Sequence, residues 1–331
     1  MSEQQQPQQL NIWCNAKFPD PAMAKLRAAL RNHRLVEASA ASASNLDAGR
    51  ADPQLEQADV ALGQPDPGQV MRLPRLKWVQ LTTAGYTRYD TGEFRTAVKR
   101  NRTIVCNASS IYAEPCAQHL AAMMLALARR LPQSLENQLT SHGWPYLPLR
   151  AQSKLLNGQT ALLIGYGAIG GRLAQILAPF DMKLIGFRRR PSPDENGVAM
   201  RTIDQLDAHL PTADHVVNIL PASDETANFF DATRFAKLKP SAVYYNIGRG
   251  TTNDERALEA ALRAKQFAAA YIDAFAEEPL PPTHPLWTTP NCFLTPHTAG
   301  GHENEADRHV EMFLENLNRF QRGEELIDRI M

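Results

Sequence analysis

The sequence predicts an α/β fold built on parallel sheets and divided into two domains. Three observations carry this expectation. Short apolar runs alternate with helical apolar patterns from end to end, the arrangement that covers a parallel sheet with helices. At 331 residues the chain has the length of two domains, with ample core for each. A glycine-rich turn in the middle of the chain stands between an apolar run and a helical pattern.

Taken in order, residues 11–14 read as the first strand, 21–30 as a helix, and 59–62, 78–81 and 103–106 as further short strands. Glu114-Pro115 opens a helix, with the proline placed in its first turn. Leu120, Met123, Met124, Leu127 and Leu131 form its apolar stripe, and Pro132 kinks or ends it. Met123 and Met124 read as core filler, and His119 as a satisfied helix histidine. Residues 141–157, with Gly143, Pro145 and Pro148, read as a connection or arm. Strands follow at 161–164, 182–187, 213–220, 241–246, 268–272 and 292–294, and a helix at 305–320.

Composition excludes several classes. Lys plus Arg is 35 and Asp plus Glu is 35, which gives no electrostatic case for nucleic acid or an anionic membrane. Cys14, Cys106, Cys116 and Cys292 are scattered without metal-ligand spacing, which fits a reducing compartment and no metal. Residues 1–10 are polar and Gln-rich, unlike a signal peptide, and the longest helical apolar run, 120–128, is too short to span a bilayer. The expectation is a cytoplasmic protein.

The central turn reads Gly165-Tyr166-Gly167-Ala168-Ile169-Gly170. The first glycine permits a tight turn, the second lets backbone approach a pyrophosphate, and the third lets helix pack on strand. Phosphates then sit at a helix N-terminus, where N–H groups and the dipole favour anions. The following helix carries a stripe at Ile169, Leu173, Ile176, Leu177 and Phe180. The pattern therefore predicts a dinucleotide. About twenty residues on, where an acid would hold the ribose hydroxyls of NAD, the chain offers Arg188-Arg189-Arg190. Guanidinium groups pair with a 2′-phosphate where a carboxylate would repel it, so NADP(H) is expected over NAD(H). Arg188 falls at the position of the absent acid, and Arg190 reads as part of a solvated turn before Pro191.

Three segments lie just past strand ends, where catalysis belongs in such a fold: Asn246-Ile247-Gly248-Arg249-Gly250, Asp273 to Pro279, and Thr295-Pro296-His297-Thr298-Ala299-Gly300. Singly each has a bland reading. Together Arg249, Glu278 and His297 form a hydride-transfer kit. A fixed arginine clamps a carboxylate and polarises the adjacent carbonyl. A histidine exchanges a proton with the carbonyl oxygen, and a neighbouring carboxylate orients its ring.

On these motifs, with Leu220-Pro221 and Thr226 between them, the chain resembles the D-isomer-specific 2-hydroxyacid dehydrogenases, the family that includes glyoxylate/hydroxypyruvate reductases. The resemblance runs from about residue 76 to the C-terminus and is densest over 155–300. It implies two Rossmann-like domains: a dinucleotide-binding domain over 111–298, and a flavodoxin-like substrate domain over 1–110 and 299–331. It implies Arg249 as substrate clamp, His297 as general acid/base and Glu278 as its partner. Gly165, Gly167, Ala168, Ile169, Gly170, Arg188, Arg189, Pro221, Thr226, Ile247, Gly248 and Asp273 would line the cofactor, with Asp273 near the nicotinamide carboxamide.

The segment Thr82-Thr83-Ala84-Gly85-Tyr86 looks like the family's carboxylate-binding loop, with Ala84, Gly85 and Tyr86 as substrate contacts. Tyr86 departs from the usual aliphatic residue and bears on substrate size. Glu278, in place of glutamine, argues against formate dehydrogenase activity, and the end at Met331 against an added regulatory domain. The resemblance also implies a homodimer, through the helix from Ala117 and the arm around Trp144 and Tyr146. The expected activity is NADPH-preferring interconversion of small 2-keto acids and D-2-hydroxy acids. The alternative is a nucleotide-sensing protein-binding module like the C-terminal-binding corepressors, which share the fold and the catalytic trio.

Overall fold

The computed structural model describes residues 9–39 and 49–331, so most of the Gln-rich start lies outside the described residues. The chain divides into two compact units, one formed by residues 1–112 with 302–331 and the other by residues 113–301.

The first unit is a five-stranded sheet of β1 (Asn11–Cys14), β2 (Arg34–Glu37), β3 (Val60–Gly63), β4 (Trp78–Leu81) and β5 (Ile104–Cys106). All pairings are parallel, in the order β2-β1-β3-β4-β5. Strand alternation feeds two cores. Ile12, Val60, Leu62 and Trp78 face one way and pack with Leu26 and Phe313. Trp13, Ala61, Val79 and Leu81 face the other way and pack with Tyr89 and Phe94. Among the helices, α1 (Asp20–Ala29), α2 (Pro67–Met71), α3 (Gly92–Asn101) and the C-terminal helix Glu305–Arg322 serve this unit.

From α4 (Ser109–Ala128) the chain enters the second unit, which adds α5 (Leu131–Leu139) and α6 (Tyr146–Gln152) before its sheet begins. That sheet contains β6 (Thr160–Ile164), β7 (Lys183–Arg188), β8 (Val198–Thr202), β9 (His215–Asn218), β10 (Val243–Asn246), β11 (Ala269–Ile272) and β12 (Cys292–Leu294). Its order is β12-β11-β10-β9-β6-β7-β8, again all parallel. Helices α7 (Ala168–Leu177), α8 (Leu206–His209), α9 (Ala232–Phe235) and α10 (Glu255–Arg263) lie along it in sequence. Leu162, Ile164, Val216, Tyr244 and Ile272 share one buried cluster with Phe235, Leu258 and Leu262.

Several expectations need correction. The edge strands β2 and β8 were not expected. β2 is half-exposed along its length and carries no apolar run to announce it. Pro115 lies inside α4 rather than in its first turn, because the helix already starts at Ser109. Arg130 takes a left-handed conformation that ends α4, so Leu131 belongs to α5, which Pro132 helps to start. The arm over 141–157 is partly helical, as α6. Among the described residues, no helix is long and apolar enough to cross a membrane, and no group of His, Cys, Asp and Glu is placed to hold a metal.

Candidate active site

The second sheet reverses its chain order at β6, whose neighbours are β7 and β9, and strand ends at such a point form a ligand crevice. Gly165 leaves β6 with φ +82, and a Cβ there would stand 2.9 Å from the Ile219 carbonyl oxygen. The N–H groups of Gly165 and Tyr166 both donate to the Phe187 carbonyl, which pins the turn against β7. Helix α7 then begins at N-cap Gly167, which offers no side chain, and Gly167 and Ala168 are exposed. Its first N–H groups are those a helix leaves without internal acceptors. An uncapped, exposed helix start behind a glycine turn fits a pyrophosphate.

Arg188 is the last residue of β7. Its Nε donates to the Tyr166 carbonyl at 2.7 Å, and its guanidinium carbon lies 5.0 Å from the Tyr166 ring centre. One terminal nitrogen reaches Glu195 at 2.9 Å. Arg189 is mostly exposed and pairs with Glu225 at 3.2 Å, while Arg190 is exposed. Across the crevice, Thr226 donates from its hydroxyl to the Pro221 carbonyl at 2.7 Å and accepts from the Ser223 N–H.

Arg249 follows β10, and its backbone is held from both sides. The Asn246 amide and the Thr252 hydroxyl both donate to its carbonyl, at 3.2 and 2.6 Å. Ile247 and Gly248 before it are buried, and the Gly248 N–H donates to the Asn246 side chain at 2.9 Å. Gly250 packs so closely on the next loop that a Cβ would fall 1.8 Å from the Phe275 carbonyl carbon. This contact sets Arg249 beside the loop that carries Glu278. Burial pulls the Arg249 guanidinium below its usual pKa, and the Glu278 charge opposes that pull.

Glu278 uses both carboxylate oxygens. Oε1 accepts from the Phe275 N–H at 2.8 Å, and Oε2 accepts from His297 Nδ1 at 2.8 Å. Burial works to raise the Glu278 pKa, but the His297 and Phe275 hydrogen bonds and the nearby positive charges outweigh it and hold the carboxyl below its ordinary range. Glu255, the first residue of α10, braces the same loop by accepting from the Ala276 N–H at 2.9 Å. His297 has a left-handed backbone, φ +54, and only about a quarter of its side chain is exposed. With Nδ1 donating to Glu278, Nε2 is the nitrogen left to exchange a proton.

Asp273 anchors the turn that carries that histidine and is 1% exposed. It accepts from the Thr295 hydroxyl at 2.5 Å and from the Thr298 and Ala299 N–H groups at 2.9 and 3.1 Å. The sequence reading missed Thr295, Glu255 and Thr252 as supports. Their roles depend on loops meeting across the sheet, and no local pattern marks them. In the first unit, Asn107 donates to the Ala84 carbonyl at 2.8 Å and Thr83 to the Gly85 carbonyl at 2.7 Å. The side chain of Tyr86 packs on the cluster of Val79, Leu81 and Tyr89.

The model of the NAD binding domain of D-isomer specific 2-hydroxyacid dehydrogenases matches residues 121–299. A glyoxylate/hydroxypyruvate reductase B of Klebsiella pneumoniae is 32% identical over 76% of this chain and 79% of that protein. A glyoxylate reductase of Aeropyrum pernix is 32% identical over 76% of this chain and 75% of that one. A D-isomer specific 2-hydroxyacid dehydrogenase from Xanthobacter autotrophicus, solved with NADPH and MES, superposes with a TM-score of 0.81 at 26% identity, covering 98% of each chain. These relatives do not favour the corepressor-like reading. The glycine turn, the site geometry and these likenesses agree: the chain belongs to the D-isomer specific 2-hydroxyacid dehydrogenase family, enzymes that act on a CH–OH group with NAD(P).

Proposed function

We propose that this enzyme reduces small 2-keto acids of the glyoxylate and hydroxypyruvate class to D-2-hydroxy acids, with NADPH preferred and NADH as the second cofactor. The observation that carries the reading is the His297–Glu278 pair at 2.8 Å, within electrostatic reach of Arg249. The reductases named above, at 32% identity, support the substrate class.

A bound nicotinamide would supply the hydride. Residues of this chain do the rest. Glu278 holds the His297 ring so that Nε2 gives a proton to the carbonyl oxygen as negative charge builds there, and takes it back in the reverse direction. Arg249 pairs with the substrate carboxylate and polarises the neighbouring carbonyl. Ala84, Gly85 and Tyr86 are assigned as further substrate contacts. Gly165, Gly167, Ala168, Ile169 and Gly170 take the pyrophosphate, and Pro221, Thr226, Ile247 and Gly248 flank the cofactor. Arg188 takes the 2′-phosphate by exchanging its bond to Glu195 for a stronger one to a dianion, with Arg189 beside it.

The test is oxidation of NADPH and NADH, side by side, with glyoxylate, hydroxypyruvate, pyruvate and phenylpyruvate. Turnover fastest with NADPH and the smaller acids is expected; no turnover with any of the four would end the reading. His297→Ala lowers kcat by about a thousandfold, the scale of a lost general acid, while NADPH binding stays within twofold.

We also propose a homodimer. Leu135, Leu139, Trp144 and Leu147 on α5, α6 and their link are 57%, 79%, 90% and 72% exposed, an apolar face that suits a second copy of the chain. Light scattering at micromolar concentration should give twice the 36.8 kDa chain mass, and a monomer mass would refute the dimer.

A further inference from the structure

Four polar side chains from α4, β11 and the loops after β11 and β12 form one chain of hydrogen bonds. His119 Nε2 lies 2.5 Å from the Tyr271 hydroxyl. That hydroxyl lies 2.5 Å from Thr295 Oγ1, which in turn lies 2.5 Å from Asp273 Oδ1. With the carboxylate accepting at one end, every direction follows. Thr295 donates to Asp273, Tyr271 donates to Thr295, and His119 donates to Tyr271. Tyr271 is fully buried, while His119 is partly exposed on α4. The two rings also stack, 5.6 Å between centres.

The carboxylate at the end of this chain is the one that anchors the Thr298 and Ala299 N–H groups on one side of His297, while Thr295 stands on the other. His297 itself sits in a left-handed conformation that a non-glycine residue holds only when its surroundings enforce it. We propose that Tyr271, backed by His119, is a positioning residue for His297. It fixes the Thr295 hydroxyl, which orients Asp273, which clamps the turn that aims the imidazole. Burial, reinforced by the Asp273 charge, keeps the phenol protonated and able to donate. Tyr271 touches no reacting atom in this scheme. Its effect arrives through two intermediates and a backbone turn.

The proposal rests on His297 as the acid of the proposed reduction, so the test needs one readout that does not require turnover. Tyr271→Phe removes one hydroxyl and Thr295→Val removes the next at nearly constant volume; Thr295→Ser restores the hydroxyl. The first readout is the imidazole ¹⁵N–¹H NMR titration of His297 in wild type and variants. The second is kcat and KM with NADPH and the best keto acid.

Tyr271→Phe and Thr295→Val should each displace the His297 titration midpoint and lower kcat about tenfold, the scale of a small misplacement of a reacting group. KM should stay within twofold, and Thr295→Ser should return most of the loss. His119→Leu should give a smaller loss in the same direction. If Tyr271→Phe and Thr295→Val only lower the melting temperature, with the His297 titration and kcat as in wild type, the network is structural and the proposal falls. A wild-type enzyme inactive on all four keto acids defeats the functional reading alone, because the NMR arm still decides this one. Should Tyr271→Phe fail to fold, the Thr295 pair answers the same question.

Discussion

In the seven-stranded sheet the first strand leads through Gly165-Tyr166-Gly167 into α7; in the five-stranded sheet it leads through residues 15–19 into α1. Both sheets reverse chain order at that first strand, so both topologies open a crevice there. What fills the two crevices differs. In the first unit, Asn15 is 3% exposed and spans the gap, donating to the Gln64 carbonyl at 2.9 Å and accepting from its N–H at 2.7 Å. Helix α1 opens on Pro19, Asp20 and Pro21, two residues without an N–H and one negative charge. In the second unit no side chain caps α7 and its first residues are exposed. One plan thus gives a closed turn hostile to anions and an open one that favours them. Topology supplies the crevice, and a handful of residues decide whether a phosphate can enter.

The largest expected effect comes from making the second turn resemble the first. A Cβ at Gly167 would meet nothing closer than the Gly165 carbonyl oxygen at 3.8 Å, so an aspartate fits there. Gly167→Asp would cap α7 with its own carboxylate, as Thr91 caps α3 by accepting from the Phe94 N–H. It would also take the N–H groups a pyrophosphate needs. Losing two charge-assisted hydrogen bonds at about 1.5–3 kcal/mol each predicts roughly a thousandfold weaker NADPH binding by calorimetry. The melting temperature should hold or rise. Unchanged NADPH affinity would mean that the open helix start is not the phosphate site.

A second difference lies in the sheet interiors. The second unit buries His215 in the middle strand β9, between the Tyr245 hydroxyl at 3.0 Å and the Gln159 side chain at 2.6 Å. Burial, only partly opposed by the Asp214 charge, pulls its pKa down to about 4. The unfolded chain therefore binds a proton near pH 6.5 that the folded chain refuses until about pH 4. Stability is full above pH 6.5 and falls as pH drops through that window, by about 3 kcal/mol for a shift of this size. Urea denaturation at pH 7 and pH 4.5 should show the fall, and His215→Gln should remove most of its slope. An equal slope in the variant would assign the acid sensitivity elsewhere.

The glycine turn, its flanking strand and helix, and the three segments after β10, β11 and β12 were legible because each is a local pattern. Residue spacing alone places glycines, an arginine or a histidine at a strand end. The edge strands β2 and β8 were not legible: an edge need not be apolar, and β2 ends on the half-exposed ion pair of Glu37 with Arg27. The break between α4 and α5 turned on Arg130, a residue type that does not advertise a left-handed backbone. The supports of the His297–Glu278 pair were the least visible. His119 read as a satisfied helix histidine, and it is satisfied, but by Tyr271, a partner 152 positions away. No sequence window contains such a pair.

The smallest expected effect concerns Arg188, where charge reading and structure meet. Sequence puts a cation where an acid would repel a 2′-phosphate, and the structure adds a platform and a competitor. The Tyr166 ring and carbonyl fix the guanidinium, while Glu195 takes one of its edges. The matching strand end in the first unit, at β2, offers Glu37 instead, paired with Arg27, the sign a 2′-phosphate would avoid. Arg188→Gln removes the charge and keeps hydrogen-bonding capacity. Because the arginine must exchange Glu195 for phosphate, only part of the new bond appears as net affinity, about 1.4 kcal/mol or tenfold. The dissociation constant of NADPH should rise by about that factor, with NADH within twofold. Adenosine 2′,5′-bisphosphate against AMP isolates the same contact without the nicotinamide. Equal losses for both members of each pair would make Arg188 an adenine-side support and return the cofactor preference to neutral.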